Sequence, residues 1–370
     1  MKKKNEVTKL LEIMLKKFTK DKIGANWFVV ASLIMKQTEL TKGDIFSPIC
    51  CYSNSFAGEA ADNFSLANQV LYGHGQQKWI QRLQGLLVRF FLKTTLLNPL
   101  WSWVFKKLMI PRLLSQSDEN YNLMVKFGYE VYKDEIEKYN LYVTHLPGRP
   151  VVEVMPGKYL SGTALKAIRP FLMINQLVTG ELENVYEIGT GTGELARIFL
   201  QSKKAKRYFL VDVPPALAFS EFYLKASLGE HHVDGYDPER KEIDLNNNYK
   251  AFILTPDQIH LIPKFDLGIS IASFQEMTFE LVKSNIEFIK NQGKENFISI
   301  NLRKGKVHNQ EKITEESYTT LFADKYLLKA KHQIKFHEVL PILHPDYQDP
   351  QENGYQLLYF KRENPEVTLS

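Results

Sequence analysis

Cysteine is almost missing from this chain of 370 residues: Cys50 and Cys51 are the only two, and they are adjacent. Neighbouring cysteines rarely bridge each other, so no disulfide framework can be drawn and no metal-ligand spacing can be built from them. A reducing, cytoplasmic setting is the expectation. Acid is missing from one long stretch. Between Asn63 and Ser117 there is no Asp or Glu, while Lys78, Arg82, Arg89, Lys93, Lys106, Lys107 and Arg112 all fall there. Internal repeats and low-complexity tracts are absent as well. So is any uninterrupted run of the roughly 20 apolar residues that a membrane span requires; Arg89, Lys93 and Lys106 break the best candidate. The opening MKKKNEVTKLLEIMLKKF is basic but punctuated by Glu6, Glu12, Lys16 and Lys17, and it reads as a surface helix, not a signal peptide. The excess of charge over the whole chain is small, 47 basic residues against 42 acidic, which leaves no electrostatic footprint for nucleic acid.

Within the acid-free stretch, Arg82, Gly85, Arg89 and Lys93 recur at helical spacing opposite Trp79, Leu83, Leu86, Leu87 and Phe90, and Pro99 ends the pattern. The following LWSWVFKKLMI adds Trp101 and Trp103 beside a lysine pair. Two readings of residues 78–112 stand. One is a helical unit whose apolar face packs on the rest of the chain. The other is a peripheral helix on the inner face of a membrane, its cations facing anionic lipid. On the membrane reading the protein sediments with anionic vesicles at low salt. Each cation near such a surface is worth about 1 kcal/mol, and screening acts beyond roughly 10 Å at 0.1 M salt. Binding should therefore fall as salt rises, and Arg89→Glu with Lys93→Glu should weaken it further. Protein that stays in the supernatant at low salt belongs to the packing reading.

After about Asp118 the composition becomes ordinary. ENYNLMVKFGYEVYKDEIEKY reads as a charged helix, LPGRPVVEVMPGKYL as a turn-rich connection and ALKAIRPFLMINQLV as a second helix. From Leu182 strand and helix patterns alternate: Val185–Ile188 a strand, Glu194–Gln201 a helix, Tyr208–Val211 a strand, then a helix opened by Pro214 and Pro215. AFILT, FDLGISIA and FISINL follow as strands, with ELVKSNIEFIK a helix between the last two. Such alternation predicts a parallel sheet with right-handed crossovers. Near the end, QIKFHEVLPIL and YQLLYFKR are two strand-like runs with only the turn-rich HPDYQDPQENG between them, so they should pair antiparallel. The expected organisation is a basic helical region over 1–117, a helical connector or substrate cap over 118–181, a catalytic domain over 182–362 and a tail over 363–370.

The most informative stretch is VYEIGTGTGELARIFL, residues 185–200. Gly189, Gly191 and Gly193 sit where a strand turns into a helix, a place where small residues let the backbone bend and let a ligand approach the main chain. A dinucleotide fingerprint wants glycines as G-x-G-x-x-G, with the pyrophosphate on the helix N-terminus. Here Glu194 occupies the third place, where a carboxylate is expected to repel a pyrophosphate. The pattern E-x-G-x-G-x-G, with Glu187 inside the strand, suits a cofactor that carries an amino-acid zwitterion and no phosphate. S-adenosylmethionine has that chemistry. Asp212 closes the next strand about 20 residues on, where an acid can accept both ribose hydroxyl hydrogens.

VYEIGTGTGELARIFL, YFLVDVPPALAFSEFYL and FDLGISIASFQEMTFELV together resemble the sugar O-methyltransferases, a family of class I S-adenosylmethionine-dependent enzymes associated with bacterial surface or secreted glycans. The likeness covers roughly residues 150–305, reaching upstream through GKYLSGTALKAI, and residues 1–117 carry none. The resemblance implies a Rossmann-like sheet of seven strands whose last two form an antiparallel pair. It implies that Glu187, Gly189, Thr190, Gly191 and Gly193 hold the methionine end of the cofactor, that Asp212 holds the ribose, that Thr255 lies near the adenine, and that Ser273 to Glu276 face the reactive sulfonium. The acceptor would be a hydroxyl of a sugar in a glycan or its precursor, with Tyr159 and Ser161 lining its site.

Methyl transfer to an alcohol needs alignment and a base for the departing proton. Glu276 is the first candidate for the base and Gln275 for orienting the sugar. His231 and His232 are further candidates, since histidine titrates near neutrality. No compact carboxylate cluster in the sequence demands a divalent metal. Two other readings remain: a nucleotide-cofactor oxidoreductase with a variant loop, and a non-catalytic protein that keeps the fold.

Overall fold

The computed structural model describes residues 122–123, 125–145, 151–302, 314–334 and 355–363. The basic region over 1–117, the membrane reading of 78–112 and most of QIKFHEVLPIL lie outside the described residues.

The first helix fully in view, α1 (Lys133–Tyr139), ends at Asn140 in the left-handed conformation. LPGRPVVEVMPGKYL, expected as a connection, contains a small antiparallel hairpin of β1 (Val152–Met155) and β2 (Lys158–Leu160), turned at Gly157 with φ +71°. Next comes α2 (Gly162–Leu177), and then β3 (Leu182–Ile188), α3 (Glu194–Gln201), β4 (Ala205–Val211) and α4 (Pro214–Leu228). The chain continues through β5 (Val233–Asp234), β6 (Ala251–Leu254), β7 (Phe265–Ile271), α5 (Phe279–Gln292), β8 (Gly293–Leu302), α6 (Glu315–Phe322), β9 (Tyr326–Ile334) and β10 (Tyr355–Arg362).

The main sheet runs β5-β6-β4-β3-β7-β8-β10-β9. Pairing is parallel from β5 to β8, and β10 is antiparallel to both its neighbours. The expected seven strands are therefore present with an additional two-residue strand, β5, at the edge. The partner of β10 begins earlier than the sequence pattern suggested, at Tyr326, because YLLKAKHQI alternates well enough to pair across nine residues.

Two layers of core explain this arrangement. On one face Val185, Tyr208, Leu210, Ile253, Leu267 and Ile269 pack under α2, α3 and α4; on the other Tyr186, Phe209, Phe252, Phe265 and Phe297 pack under α5 and α6. Strands apolar on both faces are what a sheet covered on both sides requires. The segment before Leu182 enters the first layer directly through Val125, Ile136, Leu160, Ile168 and Phe171. No helix among the described residues is long and apolar enough to cross a membrane.

Candidate active site

The C-terminal ends of the parallel strands β3, β4, β6 and β7 bring Gly189, Asp212, Thr255 and Ala272 to one end of the sheet. In open α/β sheets this is the end where ligands bind. Beyond β3, Gly189, Gly191 and Gly193 all have positive φ, at +77°, +56° and +76°, which folds the loop back on itself before α3 begins. A Cβ on Gly189 would lie 1.7 Å from Ser273 Oγ, so glycine is what allows the loop after β7 to sit against the loop after β3. Gly191 differs: nothing stands within 4 Å of where its Cβ would be. The loop therefore presents an open stretch of main chain. Ser220 on α4 donates to the Gly191 carbonyl at 2.7 Å and steadies it from behind.

Asp212 is half-buried, and it orients toward this loop. Its Oδ2 accepts from the Gly191 N–H at 2.8 Å and its Oδ1 from the Val213 N–H at 2.7 Å. Glu187 lies deeper, 3% exposed on the face of β3 that meets α3, and its Oε2 accepts from the Tyr208 hydroxyl on β4 at 2.8 Å. Burial pushes its carboxyl up to about 8, Tyr208 opposes that by stabilising the ionised form, and the nearby Asp212 charge adds to it. A buried carboxyl at the root of an open loop is short of a cation. Thr190 Oγ1, inside the loop, is buried with no hydrogen-bond partner. The Glu187 carboxyl, with Tyr208 as its one donor among the described residues, and the unpartnered Thr190 hydroxyl fit a zwitterionic amino-acid end.

Thr255 sits where it was expected, at the end of β6, but it is fully buried and caps the short helix Pro256–Leu261. Its N–H and hydroxyl both donate to Gln258 Oε1, at 3.3 and 3.1 Å. Ser273 donates to the carbonyls of Gly189 and Ile271, at 3.1 and 2.8 Å, which ties the two loops together. Ala272 before it has φ +55°, a conformation that costs a residue with a Cβ about 1–2 kcal/mol. Gln275 is buried and its N–H meets Asn301 Oδ1 at 3.4 Å. The backbone of Glu276 closes the short helix Phe274–Glu276 beside these residues; its side chain lies outside the described ones.

Tyr159 and Ser161 are at the same end of the molecule, because α2 runs back from its start at Gly162 to deliver the chain to β3. Ser161 is the N-cap of α2, accepting from the Ala164 N–H at 3.1 Å, and Tyr159 is half-buried against His145 with ring centroids 5.0 Å apart. His231 and His232 are elsewhere. They form a short helix after α4, and the His232 carbonyl accepts from the Lys250 N–H just before β6 begins. That is the N-terminal end of the strands, one full strand length from the loops, so the fold separates both histidines from the other candidates.

Glu194 corrects another expectation. The repulsion that it was expected to exert on a pyrophosphate does not arise, because its carboxylate is buried and paired with Arg197 at 2.7 Å. Arg197 also donates to the carbonyls of Tyr142 and Leu141, at 3.1 and 3.2 Å, and to Gln201 Oε1. The choice against a dinucleotide thus rests on the glycine spacing and on β10.

The sheet order, the single reversed strand β10 and the glycine loop at the end of β3 define a Rossmann-like α/β fold, parallel throughout except at β10. S-adenosylmethionine, the cofactor expected from the sequence, carries a zwitterionic amino-acid end and a ribose. Among solved structures the chain is similar to magnesium protoporphyrin IX methyltransferase from Synechocystis PCC 6803 with bound S-adenosylhomocysteine, at 12% identity over 55% of this chain and 84% of that one, TM-score 0.36. It is similar to the N-methyltransferase NodS from Bradyrhizobium japonicum WM9 in complex with S-adenosylhomocysteine, at 14% identity over 54% and 87%, TM-score 0.38. It is also similar to the mitomycin 7-O-methyltransferase MmcR, at 12% identity over 55% and 54%, TM-score 0.36. No protein-family model matches the chain, and no curated protein matches it.

Proposed function

We propose that this protein is an S-adenosylmethionine-dependent O-methyltransferase acting on a hydroxyl of a sugar, in a glycan or a glycan precursor. The observation that carries the methyltransferase reading is the buried Glu187 at the root of an open glycine loop whose amide is held by Asp212. Support for a sugar comes from the VDVPPAL and SFQEM segments, the parts of the sequence that resemble sugar O-methyltransferases most specifically. The oxidoreductase reading is disfavoured by β10, which stands antiparallel where a dinucleotide sheet would continue in parallel.

Bound at this loop, S-adenosylmethionine supplies an electrophilic methyl group. Glu187 would meet its ammonium, Thr190 and the amides near Gly191 its carboxylate, and Asp212 its ribose, with Thr255 closing the adenine end. The turn from Ser273 to Glu276 would face the acceptor, entering from the side of Tyr159 and Ser161. Glu276 is the group assigned to take the hydroxyl proton as the new bond forms. Gln275, being buried, is assigned to holding that turn in place instead of contacting the sugar.

Asp212→Ala should weaken S-adenosylhomocysteine binding by about 1–3 kcal/mol, the order expected when hydrogen bonds to a charged group are lost. The loss has two sources, since the variant also releases the Gly191 N–H that Asp212 now holds. Titration calorimetry measures it. Unchanged affinity in the variant, or no binding by the parent protein, sinks the cofactor assignment. The acceptor is tested by supplying free sugars, sugar nucleotides and polysaccharides and following the formation of S-adenosylhomocysteine.

A further inference from the structure

We infer that Tyr208 is a positioning residue for the cofactor's ammonium: from β4 its hydroxyl holds one oxygen of Glu187 and leaves the other oxygen to the ligand. The inference rests on the cofactor reading given above, and goes beyond it by assigning a role to a core residue that the sequence reading gave none.

The geometry is specific. Val185 of β3 lies directly opposite Tyr208 of β4, so Glu187, two residues on along β3, shares a sheet face with the phenol. The contact is 2.8 Å long, Tyr208 is fully buried and Glu187 nearly so. Among the described residues Tyr208 is the one donor to the Glu187 side chain. A phenol that served packing alone could be a phenylalanine, as Phe199 and Phe171 are in the same layer. A hydroxyl placed in an apolar layer is costly unless it is hydrogen-bonded, and here its partner is the group that would meet a cation.

The electrostatics follow. Burial favours the neutral acid, which attracts an ammonium weakly, and the phenol O–H opposes this because a hydrogen bond donated to a carboxylate stabilises the charged form. Asp212 is the charged group that bears on Glu187 from the end of its neighbouring strand, and it pushes toward the neutral acid. The helices on this face bring mostly balanced charge: the Glu194–Arg197 pair on α3 and the Glu221–Lys225 pair on α4. Lys166 and Arg169 on α2 are half-buried and do not enter the balance on Glu187.

Glu187 must therefore lose a proton when the cationic end of the cofactor arrives. Affinity should rise with pH up to about 8, where the free carboxyl titrates, and then level. Removing the phenol oxygen raises the carboxyl further. In Tyr208→Phe the levelling point moves to higher pH, so the affinity ratio of parent to variant should be about tenfold at pH 6.5 and shrink toward unity above the shifted value. The cofactor's own amine titrates identically in both proteins and cancels in the ratio.

The experiment is calorimetric titration of the full chain with S-adenosylhomocysteine between pH 6 and 9, in the parent, Tyr208→Phe, Glu187→Gln and the double variant, each checked for folding by circular dichroism. A ratio that narrows with pH, a flat profile in Glu187→Gln and no added effect of Tyr208→Phe in that background support the inference. A ratio constant across pH overturns it, since lost packing would act equally at every pH. A parent affinity independent of pH overturns it without any variant. If the parent binds no S-adenosylhomocysteine at all, the cofactor reading itself falls and takes this inference with it.

Discussion

Gly189→Ala should cost the fold about 2–5 kcal/mol and with it most of the cofactor affinity. Two independent penalties combine. At φ +77° an L-residue pays about 1–2 kcal/mol, and its Cβ would sit 1.7 Å from Ser273 Oγ and 2.3 Å from Ser273 Cβ, an overlap of the kind that costs about 1–3 kcal/mol. The two can be separated. Ser273→Gly in the alanine background removes the obstructing atoms and should restore the steric part, leaving the conformational part. Gly191→Ala is the internal control: it carries a φ of +56° with nothing within 4 Å, so its cost should be conformational alone. Urea midpoints of the four proteins give the comparison. If alanine at 189 is tolerated as well as alanine at 191, the close approach of the two loops is not a feature of the folded protein.

Glu276→Gln should leave S-adenosylhomocysteine affinity nearly intact while lowering turnover about a hundredfold or more, the loss typical of a removed general base. The amide keeps the size of the side chain and its capacity to hydrogen-bond, so a defect confined to turnover isolates the proton transfer. Near-normal turnover in the variant passes the role to another group at the C-terminal end of the strands. It does not pass to His231 or His232, which the fold holds at the opposite end of the sheet.

Much of the turn at the end of β3 is legible in the sequence because it is local. The turn from β3 into α3 is written in consecutive residues, and Asp212 follows from the length of one helix and one strand. Contacts set by pairing between distant segments were not legible. That Tyr208 meets Glu187 depends on the register of β3 against β4, and that Glu194 is neutralised depends on carbonyls of residues 141 and 142 arriving to complete the Arg197 shell. The β1–β2 hairpin is not legible in the sequence because strands of four and three residues are too short to show alternation. Thr255 and Gln258 have the spacing of a capping box, which predicts the bond that commits Thr255 to the helix beside it. Ser161 before Ala164 is likewise placed as a helix cap, a role that sits beside the acceptor reading of the same residue.

The position of β10 bears on how the chain is made. As a ribosome releases it, β4 finds β3 already present, β6 finds β4, β7 finds β3 and β8 finds β7. β9 then emerges with no strand to join, because its partner is still inside the tunnel. Until residues 355–362 appear, the growing sheet ends at the open edge of β8, and β9 has no strand to pair with. Completion is then a single insertion that buries Leu357, Leu358, Tyr359 and Phe360 and pairs both sides of the new strand at once. The interval before that insertion is when a nascent chain is most exposed to pairing with a neighbour, so slowing translation across β10 should raise co-translational aggregation more than slowing it anywhere earlier in the sheet.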